Sequence, residues 1–563
     1  MHVTLRRTAA VALAAALAVP ALLVAAPSAS AVTETHVVGL YGVTDPTYDG
    51  VYRQSLAILG LHAAGRAPRP EAVQWLLSQQ CPDGSFTSYK STVACPPFDP
   101  GTFTGGADSN ATATAAEALF ALGTTATKAA AAEAAAYLRG VQLVDGSWEY
   151  NPGNSGAGDP NSTGLVLLAL DAAGLTPVHD PAPFFADLQV GRTDFVSHSP
   201  ASDRGAISTT FAPGAPNLLA TVQTVAALRG ASLSTVPDLS DAWQDGATSY
   251  AVLPPSTAVG VGGWAAAYLA GQVNATGAAS YAAADETAAA WTVLSLAADR
   301  TSETTARALA TALEARPAVT SPAANGQDAL AAAAVGHTDA AAVFADRIDA
   351  SLTRDLTSPG TTWAASTSAP FTGQYVYLKR TAISDDFWPT TRLVLQVTWG
   401  DGVVQKIAGT SEAASHQYFA PGAHTVLMKV TDPSGNTRTS WATTVVVRPD
   451  LVAPTARVLT PTSSSRRSAW KPVVVTAGDY GSGVAQVRVR ISQQHKGSWV
   501  SWNGSGWVAG TRATVAASRV AGTHRWTVVT PTLALGRLVV AARATDRVGL
   551  SSSLSSSSVT LRR

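Results

Sequence analysis

Two copies of one short pattern constrain this chain more than anything else in it. Gln80-Cys-Pro-Asp-Gly-Ser-Phe86 and Gln142-Leu-Val-Asp-Gly-Ser-Trp148 both read Gln, three residues, Gly, one residue, aromatic. Each closes an Ala/Leu-rich run, 70–80 and 129–143. Each is then followed by a polar cap and a fresh apolar run, starting at Asp108-Ser-Asn-Ala-Thr and Asp159-Pro-Asn-Ser-Thr. A recurring helix, turn, cap and helix mark a helical repeat array. A third, worn copy reads Gln189-Val-Gly-Arg-Thr-Asp-Phe195, with Thr193 where the Gly belongs, and a cap at Asn217 opens the next helix. The cap asparagines Asn110, Asn161 and Asn217 stand 51 and 56 residues apart. Further helices are expected over 264–273, 285–298, 304–315, 328–335 and 339–352. At roughly 50 residues per helical pair the array holds five or six pairs, enough to close a ring.

These turns and Asp-x-Asn-x-Thr caps resemble the prenyltransferase and squalene-oxidase repeats of the terpenoid cyclase-like α/α toroids. The resemblance covers about 40–352 and implies a fold more than a function, since one toroid hosts unrelated chemistries. It implies that Gln80, Gln142, Phe86 and Trp148 are staples between helices, with Gly permitting the tight turn. The family's reactive groups are not matched. An Asp-x-Asp-Asp acid is absent, the adjacent pair Asp385-Asp386 lying in a later β-rich region, and so are the thioester sequence Cys-Gly-Glu-Gln and a zinc set of Asp, Cys and His. No catalytic residue, metal or cofactor is assigned, and the chain reads as leaning away from an enzyme. The alternatives kept are a diverged cyclase or prenyltransferase relative, or a carbohydrate-active toroid with facing carboxylates.

In a ring, alternate helices start at one end, so Asp49, Asp108, Asp159 and Asp285-Glu286 would gather around one mouth, chiefly as N-caps. The same mouth is the expected ligand site: Asp108, Asn110, Asp159, Asn161, Asn217, Glu286 and Arg53 offer polar groups beside positive helix ends.

Arg6-Arg7, an apolar run over 9–26 and Ala29-Ser-Ala31 make residues 1–31 a secretory signal peptide, by either the general or the twin-arginine route. No later run is long and charge-free enough to span a bilayer. The expected location is therefore extracellular, with association to a cell wall left open. In an oxidising compartment the only two cysteines, Cys81 and Cys95, favour one disulfide; a metal site or a free thiol is the alternative.

After about residue 355 the period changes to alternating β segments. Trp399-Gly-Asp-Gly402, His416-Gln-Tyr418 and Pro421-Gly resemble the polycystic-kidney-disease (PKD) domain, an Ig-like sandwich, which implies that Asp401 is a turn residue. Asp479-Tyr-Gly-Ser-Gly-Val484 and Ala544-Thr-Asp-Arg-Val-Gly549 resemble bacterial Ig-like repeats. Trp499, Trp502 and Trp507 either fill a core or stack on sugar rings. The net charge of zero hides a split: 451–563 carries 15 Lys/Arg against two acids, Asp479 and Asp546, or +13, leaving −13 for the first 450 residues. That asymmetry suits an anionic partner such as a cell-wall polysaccharide, not nucleic acid, with simple solubility as the alternative.

The expected fold is thus multidomain: a signal peptide over 1–31, an all-α (α/α)5-6 toroid over 32–355, a linker over 356–370, and two all-β Ig-like sandwiches over 371–450 and 451–563. The expected role is a non-catalytic binding or adhesion protein.

Overall fold

The computed structural model describes residues 37–42, 50–88, 95–101, 105–193, 200–235 and 253–562. The signal peptide expected over 1–31, Asp49 and Phe195 lie outside the described residues. The chain divides into two compact units, residues 1–67 with 76–352 and residues 68–75 with 353–563.

Among the described residues the first part holds thirteen helices: α1 (Val51–Ala63), α2 (Pro70–Ser78), α3 (Ser109–Leu122), α4 (Thr125–Gly140), α5 (Pro160–Ala172), α6 (Ala182–Leu188), α7 (Leu218–Leu228), α8 (Ala258–Thr276), α9 (Ala278–Ala284), α10 (Glu286–Asp299), α11 (Glu303–Glu314), α12 (Pro322–Ala334) and α13 (Thr338–Ala350). Their starts are chemically specified. Asp108, Asp159, Asn217 and Asp285 each accept a hydrogen bond from the amide three residues on, satisfying a donor that has no partner inside the helix. The caps aligned with Asn217 are therefore Asp108 and Asp159. Asn110 and Asn161, read above as caps, are the second residues of α3 and α5. The helix expected at 328–335 instead begins at Pro322, capped by Ser321, and Asp328 is buried inside it.

Two kinds of helix alternate. In α3, every residue from Ser109 to Leu119 except Asn110 is buried, and α1, α5, α7, α10 and α12 are similarly enclosed. By contrast, α4 buries one stripe, Thr127, Ala130, Ala131, Ala134, Ala135 and Leu138, as an outer helix does. The enclosed helices pack in sequence, α1 on α3, α3 on α5, α5 on α7, α7 on α10 and α10 on α12. Then α12 packs back on α1. The striped helices α4, α11 and α13 lie on α3, α10 and α12 respectively. Glycine makes the α1–α12 crossing possible. A Cβ on Gly60 would stand 2.5 Å from the Gly326 Cα, and one on Gly326 would stand 2.2 Å from the Leu56 carbonyl oxygen.

The repeated turns stitch successive pairs together. The Gln80 side chain donates to the Gly84 carbonyl (3.2 Å) and to Ala130 O on α4 (2.7 Å). Gln142 does the same to Gly146 (2.9 Å) and His179 (2.8 Å). In the third copy, Gln189 donates to Gly205 (3.1 Å) and to Val261 on α8 (3.0 Å). The glycine partner of Gln189 is thus Gly205, with Ile207 in the aromatic place, and Thr193 has no part in the turn. All three glycines have positive φ, 91°, 88° and 96°. Threonines one turn into the next helix complete the stitch: Thr112, Thr163 and Thr221 hydroxyls accept the amides of Phe86, Trp148 and Ile207.

The two ends of the helical part share a further copy. Gly39-Leu-Tyr41 supplies the Gly-x-aromatic half: the Tyr41 amide donates to Gln54 Oε1 (3.0 Å), and Gln54 Nε2 donates to the Gly39 carbonyl (2.8 Å). Tyr41 pairs in a β-bridge with Leu352, as Gln80 pairs with Phe86 and Gln189 with Ile207. Leu352 therefore occupies the place of the missing Gln. Cys81 and Cys95 form the expected disulfide, S–S 2.06 Å.

The second part is β-structure. A three-stranded sheet (Gly360–Ala365, Tyr375–Ser384, Ala413–Gln417) and a four-stranded sheet (Val404–Ala408, Val394–Thr398, Gly422–Thr431, Thr437–Val447) share one core around Trp363, Leu378, Trp399 and Met428. Gly360–Ala365, which falls inside the expected linker, is the first strand of this sandwich. Asp401 is a turn residue: it accepts from Val403 N and pairs with His416 at 2.6 Å. Burial opposes its charge, but the His416 ring holds its carboxyl below the usual range. The next sandwich packs Thr455–Leu459, Val473–Gly478 and Arg525–Val528, with the short strand Ser518–Arg519, against a sheet centred on Val484–His495 and Gly536–Asp546.

Candidate functional site

The groups expected at a ring mouth divide on inspection. Asp108 is buried, accepting from Ala111 N and from Ser88 Oγ (2.8 Å), and burial raises its pKa. Burial raises the pKa of the Tyr150 hydroxyl, and the nearby charges of Asp108 and Asp159 raise it further. Asp108 and Asp159 thus converge on one half-exposed tyrosine. Asn110 and Asn161 occupy equivalent places on adjacent helices, and each has a buried amide oxygen with no partner among the described residues. Asn217 caps α7, and Arg53 is only 6% exposed. Glu286 is committed elsewhere. It pairs with Arg316 (3.1 Å), which also holds Asp328 (3.0 Å). Asp328 is pushed up to about 7 by burial, against the pull of Arg316.

The motif reading missed Glu117, because an acid inside an alanine-rich helix carries no motif. It is 1% exposed, and burial pushes it up to about 8. Ser234, just after α7, lies beside Glu117 of α3 and His62 at the end of α1 and tempers both shifts, with Asp171 of α5 close enough to raise Glu117 further. Residues 231–235 therefore reach three of the enclosed helices at their C-terminal ends. The folded pKa lies above the unfolded 4.5, so the folded chain keeps a proton that the unfolded chain loses between these values. This contribution to stability is intact below about pH 4.5, falls as pH rises, and levels off above about 8. Glu117→Gln is expected to remove that slope and to stabilise the protein at pH 8 by a few kcal/mol, since each tenfold change in proton affinity is worth about 1.4 kcal/mol. Urea unfolding at pH 5, 7 and 9 checks it; parallel slopes for variant and wild type would contradict it. His62, held neutral by burial, acts oppositely and costs stability as pH falls below 6.5.

The β-part presents a different surface. Arg466, Arg467, Lys471 and Arg562 line a cleft of about 460 Å³ with Ser468, Thr532 and Leu533. All four cations are exposed. Arg467 donates to the Leu533 carbonyl (3.3 Å), and no carboxylate pairs with any of the four among the described residues. Sequence shows the Arg466-Arg467 pair and the terminal arginines separately; a parallel bridge between Arg466 and Arg562 joins them. Trp499, Trp502 and Trp507 are half-buried on a hairpin. Trp502 and Trp507 meet edge to face at 5.9 Å and pack on the core, while Arg537 lies over Trp499 at 5.8 Å.

No protein-family profile matches the chain, and no curated protein matches it. Solved structures do. The fibronectin(III)-like modules of Clostridium thermocellum CbhA are 14% identical, covering 36% of this chain and 94% of theirs, at a TM-score of 0.17. The PKD domain of the human VPS10 domain-containing receptor SorCS2 is 23% identical, covering 17% and 80%, at 0.15. Carbohydrate-binding modules of the β-sandwich superfamily are 13% identical, covering 37% and 97%, also at 0.15. The two sandwiches are defined by their own strand pairing. No helix among the described residues is long and apolar enough to cross a membrane.

Proposed function

We propose that this is a secreted or cell-surface, non-catalytic binding or adhesion protein. Its helical part is a closed (α/α)6 toroid that receives a ligand or partner, and its basic β-tail contacts an anionic polysaccharide surface. The cycle of packing from α1 through α12 back to α1 supports the toroid. The unpartnered amide oxygens of Asn110 and Asn161 support a polar ligand at the end where its helices begin. The observation that carries the reading is the cleft of four exposed, acid-free cations in a domain of charge +13. Charge of one sign with no internal partner steers and holds a polyanion, and it does so less as salt rises. Trp499 beside Arg537 adds a ring face that a sugar can stack on. The test is retention of the full-length mature protein on an anionic wall polymer compared with a neutral glucan. Retention on the anionic polymer at low salt, released by salt, is expected. Equal retention on both, or on neither, would overturn the surface role.

A further inference from the structure

The domain that carries 15 Lys/Arg has only two acids, Asp479 and Asp546, and the fold brings both to one place. A third acid, Asp450, comes from the segment joining the two sandwiches. One carboxylate oxygen from each lies within 4.8 Å of the others. Like charges at this spacing repel, and the surrounding arginines do not relieve them: among the described residues no Lys or Arg forms an ion pair with any of the three.

Backbone amides aim the carboxylates. Asp546 Oδ1 accepts from Val548 N (3.1 Å) and Leu550 N (2.8 Å). Asp479 Oδ2 accepts from Gly481 N (3.0 Å) and Gly483 N (2.7 Å). Asp450 accepts from Val452 N (3.2 Å) and Ser482 N (2.6 Å). What remains is oxygen with nothing to bind. Asp546 is 2% exposed, and its Oδ2 is buried without a partner, as is Asp479 Oδ1. A buried carboxylate oxygen without a donor is costly unless a cation meets it. Gly481 closes the loop onto this point, since a Cβ there would stand 2.2 Å from the Asp450 carboxylate.

We propose that Asp450, Asp479 and Asp546 hold a calcium ion at the joint between the two sandwiches. Three carboxylates make a hard, all-oxygen donor set, which excludes the softer metals that seek sulfur or imidazole. Irregular loops suit the flexible coordination of Ca²⁺ better than the near-octahedral, water-rich shell of Mg²⁺. The position gives the ion a mechanical role. Asp450 N donates to Thr372 Oγ1 (3.1 Å), Gln374 Nε2 donates to the Gly481 carbonyl, and Tyr480 meets Phe371 edge to face at 6.0 Å. The loop that binds the cation is therefore also the loop that grips the preceding sandwich, and the ion stiffens the hinge between them.

The experiment uses the full-length protein stripped with chelator, then titrated with Ca²⁺ by equilibrium dialysis and followed by thermal unfolding. One Ca²⁺ per chain is expected, with a Kd of roughly 10⁻⁴–10⁻³ M as in extracellular modules. An upward shift of the β-part's unfolding midpoint is expected with it. Asp479→Asn with Asp546→Asn should weaken binding at least about tenfold and remove the shift, while Asp401→Asn should change neither. Terbium luminescence sensitised by Tyr480 provides a second readout on the unmutated protein, which decides the matter if the double variant does not fold. Absence of stoichiometric binding at 10-fold above the expected Kd range, wild-type binding by the double variant, or an equal midpoint shift with Mg²⁺ would each overturn the assignment.

Discussion

Gly326→Val is expected to destabilise the helical unit by about 4 kcal/mol or more, a drop in its thermal midpoint on the order of 10 °C. The cause is the α1–α12 crossing. Any Cβ on Gly326 meets the Leu56 carbonyl oxygen at 2.2 Å and the Ala57 amide nitrogen at 3.0 Å, both rigid backbone. Close-packed interiors do not absorb such an overlap without moving a helix, and moving this one parts the first enclosed helix from the last. Gly271→Ala in α8 is the control. Nothing lies within 4 Å of its Cβ, so it should be neutral or stabilising by up to about 1 kcal/mol. Circular dichroism melts of both variants check the pair; equal midpoints would contradict the account of the crossing.

The largest functional effect is expected at the basic cleft. Arg466→Ser with Arg562→Ser should weaken adsorption to an anionic polymer about 30-fold at low salt, taking roughly 1 kcal/mol for each cation near a charged surface. Both side chains are exposed and neither pairs with an acid, so stability should hardly move. The same double change should flatten the dependence of affinity on salt. Binding isotherms at two salt concentrations provide the check, and an unchanged affinity would remove the cleft from the surface role.

What sequence could show follows from how local each feature is. The Gln-x-x-x-Gly-x-aromatic turns at 80–86 and 142–148 are contiguous, so both the motif and its stapling bonds are readable. The third copy is not, because the chain between Gln189 and Gly205 is an insertion, and the nearest residues offered a false match at Thr193. The copy shared by Tyr41 and Leu352 is invisible for a stronger reason: its halves come from opposite ends of the helical part, and its Gln is replaced by Leu. Asp and Asn near helix starts are ambiguous by nature, since either can cap. Only the amide bonded to each side chain shows that Asp108 and Asp159 do so, with Asn110 and Asn161 already inside the first turn. Alternation made the strands legible, but Gly360–Ala365 hid among the Ser, Thr and Pro residues that elsewhere mark linkers. The three aspartates at the sandwich joint come from three separate places in the chain, the segment between the sandwiches, a loop and the end of a strand, and no spacing rule unites them.

Ring closure is the claim on which the helical account rests, and a proximity measurement across the seam tests it most directly. Arg66, just beyond α1, reaches Asp346 (2.7 Å) and Asp349 (3.4 Å) on α13. In the full chain carrying Arg66→Cys and Asp346→Cys, with Cys81 and Cys95 occupied by their own disulfide, a short thiol-reactive bifunctional reagent should join the two new cysteines within one molecule, seen as a cross-linked peptide by mass spectrometry. A folded protein in which both cysteines carry only single adducts would contradict closure.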